Sequence, residues 1–216
     1  MTPAPRRLEI DLVADMVCPW CFIGWRRLLA AAALRPDVDV RITWRPYQLD
    51  PNLPEDGVDR AGYMARKFPD AARRREVSQM LVSLAAEDGI TLNFEGIAKA
   101  PNTSAAHRLV RWAQGQDLQA EVLEGLFAAY FTDGRDIGDP ETLADIGFAA
   151  GMDRMLILDR LARGEDRDTV RQEHQIAHEA GVTGVPFMVF AQKFSVIGAE
   201  SADKLARAID HAFVED

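Results

Sequence analysis

The chain has 216 residues, 48% of them hydrophobic and 27% charged, which excludes disorder, collagen-like repeats and coiled-coil arrays as whole-chain readings. With 25 Lys and Arg against 34 Asp and Glu, its net charge of −9 argues against binding nucleic acid or an anionic membrane through its bulk field. Two cysteines, Cys18 and Cys21, are too few to staple a secreted disulfide scaffold.

The N-terminal stretch is broken by Glu9, Asp11 and Asp15, so it lacks the uninterrupted apolar region of a signal peptide. No run approaches the roughly 18 apolar residues of a membrane span. The expected location is therefore cytoplasmic, where thiols are kept reduced and a CxxC pair points to redox chemistry or metal binding. Leu8 to Ala14 (LEIDLVA) reads as a buried strand. Cys18-Pro19-Trp20-Cys21 follows and opens a helix to about Leu34, with Pro19 suited to the first helical position. Val38 to Arg45 (VDVRITWR) alternates with period two, as a second strand does. Strand, CxxC, helix and strand make a βαβ crossover.

Pro46 to Gly57 is a Pro- and Asp-rich loop, and from there to about Ala180 the sequence carries helix signals and no strand. The run Arg73-Arg74-Arg75 reads as a solvated helix face. Asn102 or Thr103 caps a helix to about Gly115, and Ala120 to Phe131 carries an apolar stripe. Asp139-Pro140-Glu141 combines an N-cap, a helix-opening proline and a first-turn acid. Asp153 to Ala162 and Asp168 to Ala180 are helical, closed by Gly164 and Gly181. Strands return at Pro186 to Phe190 and Phe194 to Ile197 as a hairpin, and Ser201 caps a last helix to about Phe213. The predicted fold is α/β, in the order β-α-β, a large all-helical insertion, then β-β-α. Residues 1–57 and 181–216 form one discontinuous domain around an insertion at 58–180.

The CxxC carries the chemistry. A thiolate is the attacking species in thiol–disulfide exchange, and a free thiol of pKa about 8.5 is only about 3% ionised at pH 7. A helix N-terminus favours the thiolate through its dipole and its unpaired N–H groups. Cys18 is expected to be the exposed attacker and Cys21, one turn on, the buried residue that resolves the mixed disulfide. The competing reading is zinc, with His174 and His178 completing a C-x2-C…H-x3-H set, although the gap between the pairs far exceeds that of zinc modules. Placement between a strand and a helix favours redox. In Gly181 to Phe187 (GVTGVPF), Pro186 opens an apolar strand and removes a ladder donor. The proline is either an ordinary trans residue entering an edge strand or a cis residue facing Cys18; a cis Val185-Pro186 bond would leave the Val185 backbone free to pair with an extended substrate.

These segments resemble the thioredoxin superfamily, its DsbA-like branch with a helical insertion, and most closely the FrnE-like dithiol–disulfide oxidoreductases. The resemblance rests on Asp15 to Gly24 (DMVCPWCFIG), Trp44 to Leu49 (WRPYQL), Pro101 to Leu109 (PNTSAAHRL), Gly181 to Phe187 and Phe194 to Glu200 (FSVIGAE). It implies a thioredoxin-like sheet, a cis proline at Pro186 and dithiol chemistry at Cys18 and Cys21, with no cofactor beyond that redox-active pair and glutathione as a possible co-substrate. Thioredoxin and DsbA carry a buried acid six residues before the first active cysteine. Here that position is Leu12, and Asp15 is the nearby candidate for handling the proton. Pro19, Trp20, Val185, Pro186, Asn102 and His107 are the candidate substrate-binding residues; Asn102 and His107 also fit a helix cap and a packing residue. The implied partners are a disulfide-containing protein or a small-molecule thiol, for a monomer or homodimer. Two other functions compete: a glutathione-dependent isomerase or transferase resembling 2-hydroxychromene-2-carboxylate isomerase or kappa-class glutathione transferase, and a non-enzymatic metal-binding or scaffold module. The intact CxxC argues against the former, whose members normally carry a lone Ser or Cys at the first position.

Overall fold

A computed structural model describes residues 6–214. In chain order the elements are β1 (Arg6–Ala14), α1 (Pro19–Ala33), β2 (Val38–Pro46), β3 (Val58–Asp59), α2 (Arg60–Lys67), α3 (Ala71–Glu87), β4 (Lys99–Ala100), α4 (Ser104–Gln114) and α5 (Gln119–Phe127). They continue as α6 (Pro140–Ala149), α7 (Arg154–Ala162), α8 (Arg167–Glu179), β5 (Phe187–Phe190), β6 (Phe194–Ile197) and α9 (Ala202–His211). The chain divides into two compact units, one containing the residues up to Tyr47 and from His174 onward, the other Gln48–Glu173.

The first unit is built on a four-stranded sheet of order β2-β1-β5-β6. β1 runs parallel to β2, with Leu12 opposite Trp44, and antiparallel to β5, with Leu12 opposite Met188. β6 closes the hairpin, pairing Phe187 with Ile197. Leu8, Ile10, Leu12 and Ala14 are buried on one face. Met188 shares that face and reaches Gly24 of α1, so this is the side that α1 covers. Helices α1 and α9 lie together, and the guanidinium of Arg35 forks onto the carboxylate of Asp210. On the opposite face Val13 joins Ala177 and Val182, with Tyr47, Val185 and Phe187 packed against them. The β5–β6 turn places Ala191 (φ 49°) and Gln192 (φ 57°) in the left-handed region.

The second unit is mainly helical. Its core includes the buried Leu109, Leu123, Leu126, Phe127 and Leu143. Aspartates cap four of its helices: Asp59 accepts from Gly62 N–H, Asp70 from Arg73, Asp139 from Thr142 and Asp153 from Leu156. The guanidinium of Arg108, buried in α4, donates to the carbonyls of Arg160, Leu161 and Glu165 at the end of α7 and stacks on Trp112. That satisfies carbonyls which a helix terminus leaves without intrahelical partners.

Two expectations need correcting. The insertion is not all-helical, because β3 and β4 pair as a short antiparallel ladder, Val58 with Ala100 and Asp59 with Lys99. Two residues per strand leave no alternation to read. Both unit boundaries also fall earlier in the chain than 57/58 and 180/181. The Pro-rich loop is tied to the helical unit, since Leu53 C=O accepts from the Asn102 amide and Glu55 pairs with Arg167. At the other end, the last turns of α8 contribute Ala177 to the core of the sheet unit.

Candidate active site

β1 ends at Ala14, and Asp15 C=O accepts the Cys18 N–H at 3.1 Å, turning the chain into α1. Cys18 is the N-cap, extended at φ −93° and ψ 115°. Its carbonyl accepts from Cys21 N at 3.0 Å and Phe22 N at 3.3 Å, and Pro19 stands where a missing N–H costs nothing. Strand, turn and helix therefore place both sulfurs at the C-terminal end of β1, on the first turn of a 15-residue helix.

Cys21 is fully buried. Cys18, expected to be exposed, retains only 5% of its surface. Nor does its sulfur turn back on the helix N–H groups, for it makes no side-chain cap bond. The Cys18 thiol instead donates to the Val185 carbonyl at 3.8 Å. A protonated thiol is a donor, and this acceptor lies within its reach. Neither cysteine is disulfide-bonded.

Burial pushes the Cys21 thiol well above its usual pKa. Its hydrogen bond with the Cys18 thiol and the electrostatic influence of Cys18 and Asp15 push the same way, while the Asp15 backbone N–H pulls against them. Asp15 is itself a buried acid with 1% of its surface exposed, whereas Leu12 is wholly buried in the apolar face of β1. A buried acid thus sits in the turn three residues before Cys18.

The Val185-Pro186 peptide bond is cis. Pro186 is fixed from two sides: its carbonyl accepts from Gly198 N–H at 2.8 Å, and the next residue, Phe187, is paired with both Val13 and Ile197. Val185 packs against the cluster of Val13, Ala177 and Val182. Trp20 and Pro19, on the first turn of α1, are half-buried.

Asn102 and His107 belong to the helical unit. The Asn102 amide donates to Leu53 C=O at 2.7 Å, and its oxygen accepts from Ser104 N and Gln48 Nε2. Asn102 thus caps α4 from one position before its N-cap Thr103. His107 is fully buried in α4. His178 is exposed on α8, whereas His174 is half-buried and stands edge-on to Tyr47 with ring centroids 5.1 Å apart. Among the described residues no group of three or more His, Cys, Asp or Glu comes together as a metal site requires.

Two contributors escaped the sequence reading. Tyr47, the residue after β2, packs against the same Val13, Ala177 and Val182 cluster as Val185, and only its place in the WRPYQL segment hinted at this. Gly24 lies against the Pro186 ring; a glycine inside an otherwise strong helix was the signal for it.

Known proteins share this fold. Residues 9–210 match the family described as a DSBA-like thioredoxin domain. Over 203 residues the chain is 25% identical to the uncharacterized protein YwbO of Bacillus subtilis (strain 168), covering 94% of this chain and 96% of that protein. The crystal structure of a probable DsbA oxidoreductase from Streptomyces coelicolor is similar at a TM-score of 0.88 and 27% identity, over 97% of this chain and 91% of the other. The fold is shared with the cytosolic disulfide reductase DsbM from Pseudomonas aeruginosa in complex with GSH, at a TM-score of 0.60 and 19% identity, over 94% of this chain and 95% of that one. Among the described residues no helix is long and apolar enough to cross a membrane.

Proposed function

This chain belongs to the DSBA-like thioredoxin domain family, and from that premise we propose that it is a thiol–disulfide oxidoreductase or isomerase working through Cys18 and Cys21. The observation that carries the reading is the juxtaposition of the Cys18 sulfur, on the first turn of α1, with the Val185 carbonyl and with a second, buried thiol one turn on.

The Cys18 thiolate attacks one sulfur of a substrate disulfide. A Cys18–substrate disulfide forms, the substrate S–S bond breaks, and the departing thiolate takes up a proton. The Cys21 thiol then gives up its proton and attacks the Cys18 sulfur. The Cys18–Cys21 disulfide forms, and the substrate's second thiolate leaves and is protonated. The substrate gains two electrons and the enzyme dithiol loses them; the reverse sequence oxidises a dithiol. Burial holds the Cys21 proton tightly, so this second step needs an acceptor. We assign that role to the Asp15 carboxylate, whose burial and charge coupling to Cys21 support it. Trp20 and the Val185 backbone offer the apolar and polar contacts for a substrate chain beside Cys18. Glutathione fits as a co-substrate that reduces the disulfide.

Reduction of insulin disulfides with the wild type, Cys18→Ser and Cys21→Ser tests the reading. Cys18→Ser is expected to be inactive and Cys21→Ser to accumulate a mixed disulfide. Full activity in Cys18→Ser would sink the proposal. Glutathione-dependent isomerisation that survives Cys21→Ala would favour the isomerase reading instead.

A further inference from the structure

Gly24 sits in the interior of α1, one turn beyond Cys21, and is buried. A glycine in a helix interior is less favourable than an alanine. Something must oppose alanine here, and the neighbouring residue supplies it. A methyl group on Gly24 would stand 2.8 Å from Pro186 Cγ, 3.4 Å from Pro186 Cβ and 3.4 Å from Met188 Cε. Methionine Cε is the end of a flexible side chain and yields. The proline ring does not, because the Pro186 carbonyl is held by Gly198 and Phe187 is locked into the sheet on both sides.

We propose that Gly24 is a positioning residue for the dithiol site: its missing side chain seats the Pro186 ring directly on α1, and this contact registers the Val185 backbone against Cys18. The proposal rests on the dithiol reading above and deepens it. One helix then carries both sulfurs and the seat that sets the distance from Cys18 to Val185. The neighbouring residues of that loop leave space for a substrate chain, since a methyl group on Gly184 or on Gly181 would meet nothing within 4 Å. The substrate class this favours is an extended polypeptide disulfide, whose backbone lies along Val185. A small disulfide reaches the Cys18 sulfur without that contact.

Wild type and Gly24→Ala are compared with a peptide disulfide and with a small aromatic disulfide, and their melting is followed by circular dichroism. Displacing Val185 by a fraction of an ångström is expected to lower kcat/KM for the peptide by about ten- to a hundredfold. Turnover of the small disulfide should fall less, through the altered Cys18–Val185 contact alone, because it requires no placement along Val185. Equal loss with both substrates, or no loss with the peptide, overturns the proposal. A wild type inert toward both disulfides overturns the dithiol reading instead. A second comparison isolates the contact. With Pro186 present, Gly24→Ala should lower the melting temperature; in a Pro186→Ala background, without the ring, it should raise it as helix propensity alone dictates. The same sign in both backgrounds overturns the seat. If Gly24→Ala does not fold, recovery of folding in the double variant supports the seat and failure to recover refutes it.

Discussion

The Cys18 thiol donates to the Val185 carbonyl oxygen at 3.8 Å, joining the first turn of α1 to the residue before the β5 strand. The Cys18 thiol is therefore satisfied by a backbone acceptor of the loop before β5. Cys21 has a different environment, wholly buried beneath Cys18 and beside a buried acid. The two thiols of one short motif are thus separated in chemistry by their surroundings.

Asp15 should matter to the second half of the reaction and not to the first. With Asp15→Asn the amide cannot accept the Cys21 proton, and resolution of the mixed disulfide is expected to slow by about a hundredfold. The initial attack by Cys18, followed as release of a chromophoric leaving group, should be preserved. Equal slowing of both steps, or of neither, would show that Asp15 only shapes the turn.

The Cys21 thiol holds its proton more tightly in the folded chain than in the unfolded one. The resulting stabilisation is complete below the unfolded thiol pKa, about 8.5. It is lost as the pH rises from there toward the folded value. The reduced protein should therefore lose melting temperature above about pH 8.5 more steeply than the disulfide form, in which neither sulfur titrates. Cys21→Ser should abolish the extra slope. Parallel curves for the reduced and oxidised proteins would contradict the burial argument.

The β5–β6 turn offers a gain in stability away from the site. Ala191 and Gln192 both adopt positive φ, a two-residue conformation that Asn-Gly accommodates far better. The Lys193 N–H to Phe190 C=O bond and the Ala191 N–H to Glu9 C=O bond use backbone atoms only, so they survive substitution. Ala191→Asn with Gln192→Gly is expected to stabilise by about 1–2 kcal/mol. That corresponds to roughly 3–6 °C in Tm for a chain of this length. An unchanged or lower Tm would mean that the turn is held by its side chains.

Much of this was legible because its causes are local. The alternation of VDVRITWR, the proline after Cys18 and the caps Asp139, Asp153 and Ser201 act within a few residues, and β2, α1, α6, α7 and α9 lie where those signals put them. α2 and α3 gave weaker signals: α2 buries no residue and α3 buries only Leu81 and Ala85, so neither carries a broad apolar stripe. What the sequence could not convey is tertiary. The contact of Gly24 with Pro186, the packing of His174 on Tyr47 and the ladder of β3 with β4 all join residues distant along the chain. The same holds for the orientation of the Cys18 thiol, which an isolated helix end would direct toward its own N–H groups.

The sheet unit is assembled from the two ends of the chain, and 167 residues separate Cys18 from Val185. A ribosome adding about 5–20 residues per second makes the thiols roughly 8 to 30 s before it makes their acceptor. During that interval β1 has no β5 beside it, and the sulfurs are in the chain without the Val185 carbonyl. The emerging polypeptide thus carries its two cysteines long before the loop that meets them, and the contact between Cys18 and Val185 can form only once that loop has been made.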